Sequence, residues 1–205
     1  MSRVKTQTKE LAILSAASRV FAAKPFDEVL IDTIAADAGI GKGTIYRYFE
    51  TKETLYYATV LYVVESLATE LEAATRNVPS GTRRLEAIAT LILDRYWDHR
   101  YLLPFFQRDE RFPLLEAEFA KRREPILKVV QSAILAGIEQ GELRGVDARI
   151  GAELFLGMVR AMNLFHRGDD RLGDLVAQLM SVFIGGAAHA EPAAVPAELK
   201  LVPEP

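Results

Sequence analysis

Apolar residues recur at intervals of three and four along most of the chain, which is the spacing of one face of an α-helix. In the first third of the chain this pattern predicts four helices, at residues 8–24, 31–38, 42–49 and 51–75. Pro25 ends the first, because its ring disfavours helical geometry before it, and Gly39 can close the second in a left-handed conformation. Thr51 is expected to cap the fourth. Strand patterns are almost absent, so we expect an all-α protein.

The helical spacing continues after a loop at residues 77–81, with a fifth helix predicted around residues 85–96. Shorter helical pieces, broken by prolines, are expected between residues 101 and 120. Pro125 is expected near the start of a long helix that ends at Gly141, and Asp147 can cap the helix after it. A final helix follows residue 170. The segment 187–205 is rich in Ala, Pro and Glu and is predicted to be disordered.

Composition narrows the class of protein without naming its function. The chain has 205 residues, 50% of them hydrophobic, and no cysteine, so a disulfide scaffold and a cysteine-ligated metal site are excluded. No run approaches the roughly 18 uncharged apolar residues of a membrane span, and we expect a cytoplasmic protein. The net charge is −3, but the first 25 residues carry five basic residues and one acidic residue. A basic beginning on an acidic body keeps nucleic acid open as a partner.

The most informative stretch is Ile34–Phe49, where two short helices are joined by a turn that contains Gly39. This is the layout of a helix-turn-helix, whose second helix enters the major groove of DNA. Ala35 is small where the two helices cross, and Ile40 and Ile45 are expected to fill their shared core. The remaining polar positions of the second helix are then free to face outward.

These residues resemble the tetracycline-repressor (TetR) family of bacterial transcriptional regulators. The resemblance covers about the first 55 residues and rests on Ile13-Leu14, Ala16-Ala17, Val20-Phe21, Ile34-Ala35, Ala38-Gly39-Ile40, Lys42-Gly43-Thr44-Ile45-Tyr46, Tyr48-Phe49 and Lys52-Glu53-x-Leu55. The chain departs from the family pattern at Pro25, where Gly is usual, and at Leu30 and Gly41, which precede the two motif helices in place of Ser or Thr. Because leucine cannot cap a helix, the start of the second helix is expected to shift.

The resemblance implies a DNA-binding site on the third helix and at the start of the fourth. Its residues would be Lys42, Gly43, Thr44, Tyr46, Arg47, Tyr48 and Lys52. Lys42 and Arg47 can donate to guanine or phosphate, whereas Lys52 would bind phosphate where helix N–H groups also favour an anion. Arg3 and Lys5 would form a flexible arm near the DNA backbone.

For the rest of the chain the resemblance implies a helical domain that binds a small molecule and forms a homodimer through its last two helices. The predicted domains are a DNA-binding head at 1–54, a ligand-binding and dimerisation domain at 55–186, and the tail. Aromatic and polar candidates for the ligand pocket are Tyr96, Trp97, His99, Tyr101, Phe105, Phe106, Phe119, Asn163 and His166. Dimer-interface candidates are Leu154, Met158, Leu175, Leu179 and Phe183, although the same stripes could instead face the core of their own chain. Gly151, Gly157 and Ala161 would permit close helix approach.

The chain is therefore interpreted as a ligand-responsive regulator, most simply a homodimeric repressor released by a small molecule from a near-palindromic operator. One alternative is a helical regulator that acts on protein partners without binding DNA. Another is an enzyme that uses Asp94, Asp98 and His99, but these are more simply read as the polar face of one helix. No cofactor, metal site or catalytic residue is predicted.

Overall fold

The computed structural model of the protein describes the backbone of residues 2–98, 113–165 and 171–189 and the side chains of residues 7–96, 117–163 and 171–186. All regular secondary structure in these segments is helical, as predicted. The helices are α1 (Ser2–Ala23), α2 (Ile31–Asp37), α3 (Lys42–Tyr48), α4 (Lys52–Thr75), α5 (Gly81–Asp98), α6 (Pro113–Glu139), α7 (Ala148–Phe165) and α8 (Leu172–His189), with a short 3-10 helix at Phe26–Glu28.

Helices α1 to α3 and the first part of α4 enclose one hydrophobic core. Phe21, Ile34, Ile45 and Leu55 are almost fully buried in it, one from each helix. Behind Pro25 the 3-10 helix places Phe26 against this core, where its ring meets Tyr56 edge-on with centroids 5.1 Å apart. The segment between the end of α1 at Ala23 and the start of α2 is therefore packed against the head core through Phe26 and is not an open loop.

A second core lies between the remainder of α4 and helices α5 to α8. Helix α4 contributes to both cores, since Leu55 and Val60 are buried in the first and Val64 and Leu71 in the second. A single rigid element of 24 residues, about 36 Å long, thus joins the head to the body. The division of the chain at residue 54 remains a prediction, and the change from one core to the other falls between Val60 and Val64.

Two predicted helix ends are confirmed by local geometry. Gly141 follows α6 with φ of +72°, a left-handed conformation that glycine adopts without strain. Asp147 caps α7, because its Oδ1 accepts hydrogen bonds from the backbone N–H groups of Arg149 and Ile150, both at 2.9 Å.

Four local expectations were wrong. Helix α1 begins at Ser2 rather than Thr8, so the backbone of the predicted flexible arm is helical. Helix α6 begins at Pro113 and continues through Pro125 instead of starting there. Helix α2 begins at Ile31 although Leu30 makes no side-chain cap, since Thr33 N–H bonds to the Leu30 carbonyl at 3.1 Å. The last helix runs to His189, three residues into the predicted tail, and residues 190–205 lie outside the described segments.

Within those described segments, no helix is both long enough and apolar enough to cross a membrane.

Candidate nucleic-acid interface

The turn between α2 and α3 is closed by backbone hydrogen bonds that require a left-handed residue. Gly39 has φ of +66°, its N–H donates to the Ala36 carbonyl at 3.2 Å, and Ile40 N–H donates to the Ala35 carbonyl at 3.0 Å. This pair of bonds is a Schellman motif, which ends a helix and places the next residue against it. Ile40 is accordingly half-buried against the head core, which sets the angle at which α3 leaves the turn.

Helix α3 divides into a buried face and an outward face. Ile45 is buried, and Phe49 follows at the end of the helix with the same orientation toward the core. Lys42, Gly43, Tyr46 and Arg47 are exposed, whereas Thr44 and Tyr48 are half-buried. Tyr48 packs against the head core and lies beneath Arg47, whose guanidinium carbon is 6.0 Å from its ring centroid. The outward face therefore presents two cations and a phenol hydroxyl to any partner.

Gly43 lies in this exposed face without a structural reason inside the protein. A Cβ atom added there would meet no atom within 4 Å, and its φ is not in the left-handed range. Glycine inside a helix costs about 1 kcal/mol relative to alanine. A residue that weakens its own helix and has open space around it is typical of a surface that a partner approaches closely.

The sequence pattern alone suggested that Lys42 is a free cation, but in the structure it is paired with a carboxylate. Its Nζ donates to Oδ2 of Asp32, on α2, at 2.8 Å, and both side chains remain largely exposed to solvent. This hydrogen bond is the main reason that the pKa of Lys42 is raised above its ordinary value. Sequence reasoning missed Asp32, because its ten-residue separation from Lys42 becomes a contact only through the geometry of the turn.

The start of α4 holds the third predicted cation of the interface. Thr51 Oγ1 accepts from Thr54 N–H at 3.1 Å, and Thr54 Oγ1 accepts from Thr51 N–H at 3.0 Å, which together form a capping box. Lys52 Nζ lies 4.4 Å from the ring centroid of Phe26. The ring attracts the cation and restricts where it projects, so Phe26 is a second residue that the motif did not reveal.

The ligand-pocket candidates fall partly outside the described segments. Tyr96, Phe119 and Asn163 are half-buried, the first two against the body core. Burial raises the pKa of the Tyr96 phenol, while the positive charges of Arg160 and Arg123 act in the opposite direction. The other candidates lie beyond the described side chains, namely Trp97, His99, Tyr101, Phe105, Phe106 and His166. The assignment of the pocket stays a prediction.

The dimer-interface candidates separate into two groups. Leu175, Leu179 and Phe183 are buried within their own chain, so they leave almost no surface for a partner. Gly151 also faces inward, because a Cβ there would lie 2.7 Å from Val146 Cγ2. These four positions contribute to the core of their own chain, and the assignment of Leu175, Leu179 and Phe183 to a dimer interface stays a prediction that their burial does not favour.

Leu154, by contrast, is 59% exposed on α7. Ile150 lies one turn before it and is 61% exposed, and Met158 and Ala161 continue the same face. On α8, Val182 is 65% exposed, beside two glycines that have open space around them, Gly185 and Gly186. We use the term α7/α8 face for the outward apolar residues of these two helices, which are Ile150, Leu154 and the half-buried Met158 on α7 and Val182 on α8.

The residues of the enzyme alternative form no constellation in the described segments. Asp94 is exposed on α5, while the side chains of Asp98 and His99 lie outside those segments. Among the described residues, no group of three His, Asp or Glu side chains is placed to hold a metal ion.

Comparison with known proteins identifies the head. Residues 13–59 match the family model for bacterial regulatory proteins of the tetR family. The chain is a TetR-family transcriptional regulator. The matched segment contains the helix-turn-helix, both tyrosines of α3 and the capped start of α4, so the sequence resemblance and the structure point to the same residues.

Two similar regulators extend the match beyond the head. The fatty acid metabolism regulator protein of Bacillus subtilis is 26% identical over 183 residues, which cover 85% of this chain and 91% of that protein. The HTH-type transcriptional regulator YhgD, also from Bacillus subtilis, is 27% identical over 155 residues, or 73% and 80% of the two chains.

Solved structures agree on the fold. A TetR transcription regulator from Haloarcula marismortui superposes with a TM-score of 0.71 at 18% identity, covering 88% of this chain and 98% of that one. The regulator FadR from Bacillus subtilis in complex with stearoyl-CoA gives a TM-score of 0.69 at 19% identity, with 86% and 98% coverage. At these identities the likeness shows the all-helical TetR fold and no particular ligand.

Proposed function

We propose that this TetR-family regulator is a homodimeric repressor that binds a near-palindromic DNA operator and is released from it by a small molecule. The observation that supports this most directly is the outward face of α3. It combines Lys42 and Arg47 with an exposed Gly43 that the packing does not explain. Arg47 and Lys42 have the donors that read guanine in the major groove, whereas Lys52 and the tyrosine hydroxyls suit phosphate oxygens.

A homodimer is supported by the α7/α8 face. Large apolar side chains that are more than half exposed on two neighbouring helices are unusual for a monomer and favour burial against a second copy. A two-fold dimer places two copies of α3 on the same side of the DNA, with half-sites about 34 Å apart or a multiple of it. An operator on prokaryotic chromosomal DNA would place the protein in the cytoplasm.

Control by an effector is supported by the way α4 is fastened to the body. Arg95 of α5 donates from Nε and Nη2 to Glu70 Oε2 at 2.9 and 2.6 Å, and Arg122 of α6 pairs with Glu65. Since α4 also belongs to the head core, a displacement of α5 or α6 would move α4 and, through it, the DNA-binding helices. A ligand changes DNA affinity only if it prefers one of the two arrangements, and DNA must then change ligand affinity equally.

The DNA-binding proposal is tested by selecting duplexes from a random library and measuring the affinity of Arg47→Ala for the selected operator. Loss of a base or phosphate contact should weaken binding by about 1–3 kcal/mol, or about tenfold or more. Arg83→Ala is the matched control, because Arg83 is an exposed arginine on α5, in the body. If the wild-type protein enriched no sequence, a regulator acting through protein partners would be the better interpretation.

The same operator complex tests the effector. Stearoyl-CoA is a rational first probe, since the transcriptional regulator FadR from Bacillus subtilis, which has a similar fold, was solved in complex with it. Release of operator DNA by stearoyl-CoA, or by a compound from a wider screen, supports a ligand-responsive repressor. Compounds that bind the protein but leave operator affinity unchanged would separate ligand binding from regulation.

A further inference from the structure

Helix α2 carries two acidic residues, and they have different partners. Asp37 accepts two hydrogen bonds from Arg19 of α1, at 3.1 and 2.7 Å, which ties α2 to the scaffold of the head. Asp32 pairs instead with Lys42, the first residue of α3. A negative charge therefore lies beside a cation on the face that the proposed function turns toward DNA.

This pair contributes little to the fold. Both side chains are well exposed, 66% for Asp32 and 48% for Lys42, and ion pairs of this kind add little to stability because solvent and salt screen them. The α2–α3 contact is already maintained by apolar residues, including the buried Ile34 and Ile45. The main consequence of Asp32 is electrostatic, since it offsets the charge of Lys42.

That offset matters because phosphates are present on every DNA sequence. Each lysine that neutralises a phosphate adds affinity without regard to sequence, and it steepens the fall of affinity with salt by about 0.9 in the logarithmic slope. A lysine already paired with a carboxylate gains less from an arbitrary phosphate, and the carboxylate itself is repelled by the DNA backbone.

We propose that Asp32 is a specificity-determining residue, which holds Lys42 and so suppresses binding to DNA that offers this lysine no well-placed acceptor. On an operator, Lys42 exchanges the carboxylate for the acceptor provided by the site. On other sequences it stays paired, and the head binds weakly. The inference rests on the proposed function, because it assigns a role at the same DNA-binding surface.

The test compares Asp32→Asn with the wild-type protein on the selected operator and on an unrelated duplex, at several salt concentrations. The affinity of Asp32→Asn for unrelated DNA should rise about tenfold, with a salt slope steeper by about one to two for a dimer. The gain on the operator should be smaller, so the ratio of the two affinities falls. Asp32→Glu keeps the charge and should retain the wild-type ratio.

Two controls assign the effect to Lys42. Glu139→Gln removes one negative charge at the end of α6, close to the start of α5 and far from the head, and should leave the affinity ratio unchanged. In a Lys42→Ala background, Asp32→Asn should have a much smaller effect, as expected for coupled residues.

The inference is overturned if the wild-type protein selects an operator but Asp32→Asn keeps the wild-type affinity ratio. It is also overturned if the gain on unrelated DNA persists without Lys42. A wild-type protein that selects no sequence would instead contradict the proposed function itself. Circular dichroism of each variant checks that α2 and α3 remain folded.

Discussion

At the scale of single residues, Glu142 shows how a side chain from a loop completes a helix elsewhere in the chain. Its Oε2 accepts hydrogen bonds from the backbone N–H of Thr82 at 2.8 Å and from Thr82 Oγ1 at 3.0 Å. Beside it, Gln140 Oε1 accepts from Gly81 N–H at 3.0 Å. The first N–H groups of α5, which have no partner within the helix, are satisfied in this way.

The charge of Glu142 makes this contact depend on pH. The Thr82 backbone donor is the main cause that lowers the pKa of this carboxyl below its ordinary value. Because folding lowers the pKa, the stabilisation is present above the pKa of the unfolded state and is lost as the pH falls through the folded value. We expect Glu142→Gln to destabilise the protein at about pH 7 and to destabilise it less at about pH 3, where a larger fraction of the carboxyl is protonated.

The measurement is the free energy of unfolding in urea at the two pH values. Gln140→Ala is the matched control, because Gln140 also accepts a hydrogen bond at the start of α5 but its side chain does not titrate. The loss in the free energy of unfolding caused by Gln140→Ala should therefore not depend on the ionisation of a carboxyl. Equal differences between wild type and Glu142→Gln at both pH values would contradict the prediction.

At the scale of helices, the crossing of α5 and α6 is closer than ordinary side chains permit. A Cβ atom at Gly81 would lie 2.2 Å from the backbone nitrogen of Gly137 and 2.6 Å from the Ala133 carbonyl oxygen. Both atoms belong to a helix backbone, which cannot move aside as a flexible side chain would. Gly81 is therefore required by the packing of these two helices.

Gly81→Ala should accordingly destabilise the protein by about 3 kcal/mol, because α5 and α6 must separate to admit the methyl group. Gly173→Ala, on α8, is the control, since its Cβ would meet no atom within 4 Å. There the better helix propensity of alanine should leave stability unchanged or raise it by up to about 1 kcal/mol. The measurement is the free energy of unfolding of both variants in urea. Similar changes in this free energy for Gly81→Ala and Gly173→Ala would refute the packing argument.

Helix α6 also shows where prediction from sequence stops. A proline lacks the N–H that would continue the helical ladder, so Pro125 predicts a helix start. The three residues before it pair with other helices, Arg122 with Glu65 of α4, and Arg123 and Glu124 with Glu153 and Arg149 of α7. Ion pairs with two neighbouring helices therefore lie directly before the proline that lacks the N–H. Because the partner residues are distant in sequence, the local pattern around Pro125 does not reveal them.

At the scale of the whole molecule, the exposed apolar residues of the α7/α8 face favour a dimer over a monomer. Within one chain Phe155 and Phe183 are buried in the body core and meet edge-on, with ring centroids 5.1 Å apart. The residues of the α7/α8 face that are more than half exposed, including Leu154 and Val182, contribute little to that core. Burial against a second copy would remove this apolar surface from water.

We expect Leu154→Glu to yield a folded monomer, because a buried carboxylate in an apolar interface has no partner. Analytical ultracentrifugation should show half the wild-type mass, and operator affinity should fall since one head contacts only one half-site. Leu135→Glu is the matched control, because Leu135 is also an exposed leucine but lies on α6. A dimer that persists in Leu154→Glu would place the interface elsewhere.

The sequence by itself determined the features that depend on neighbours along the chain. Helical periodicity placed most of the helices, and Gly39 and Asp147 marked ends that need a particular conformation or cap. The motif from Lys42 to Phe49 predicted which helix binds DNA. These are short-range effects, since a helix end or a turn is decided by residues within one or two turns of it.

Tertiary structure alone decided what each side chain faces. An apolar stripe shows that Leu179 and Leu154 are available for burial, but only packing shows that the first lies in its own core and the second does not. A basic residue at the start of α3 indicates a cation, but only the turn geometry brings Asp32 to Lys42. Such pairings depend on the angles between helices, which arise from the whole core rather than from any local segment.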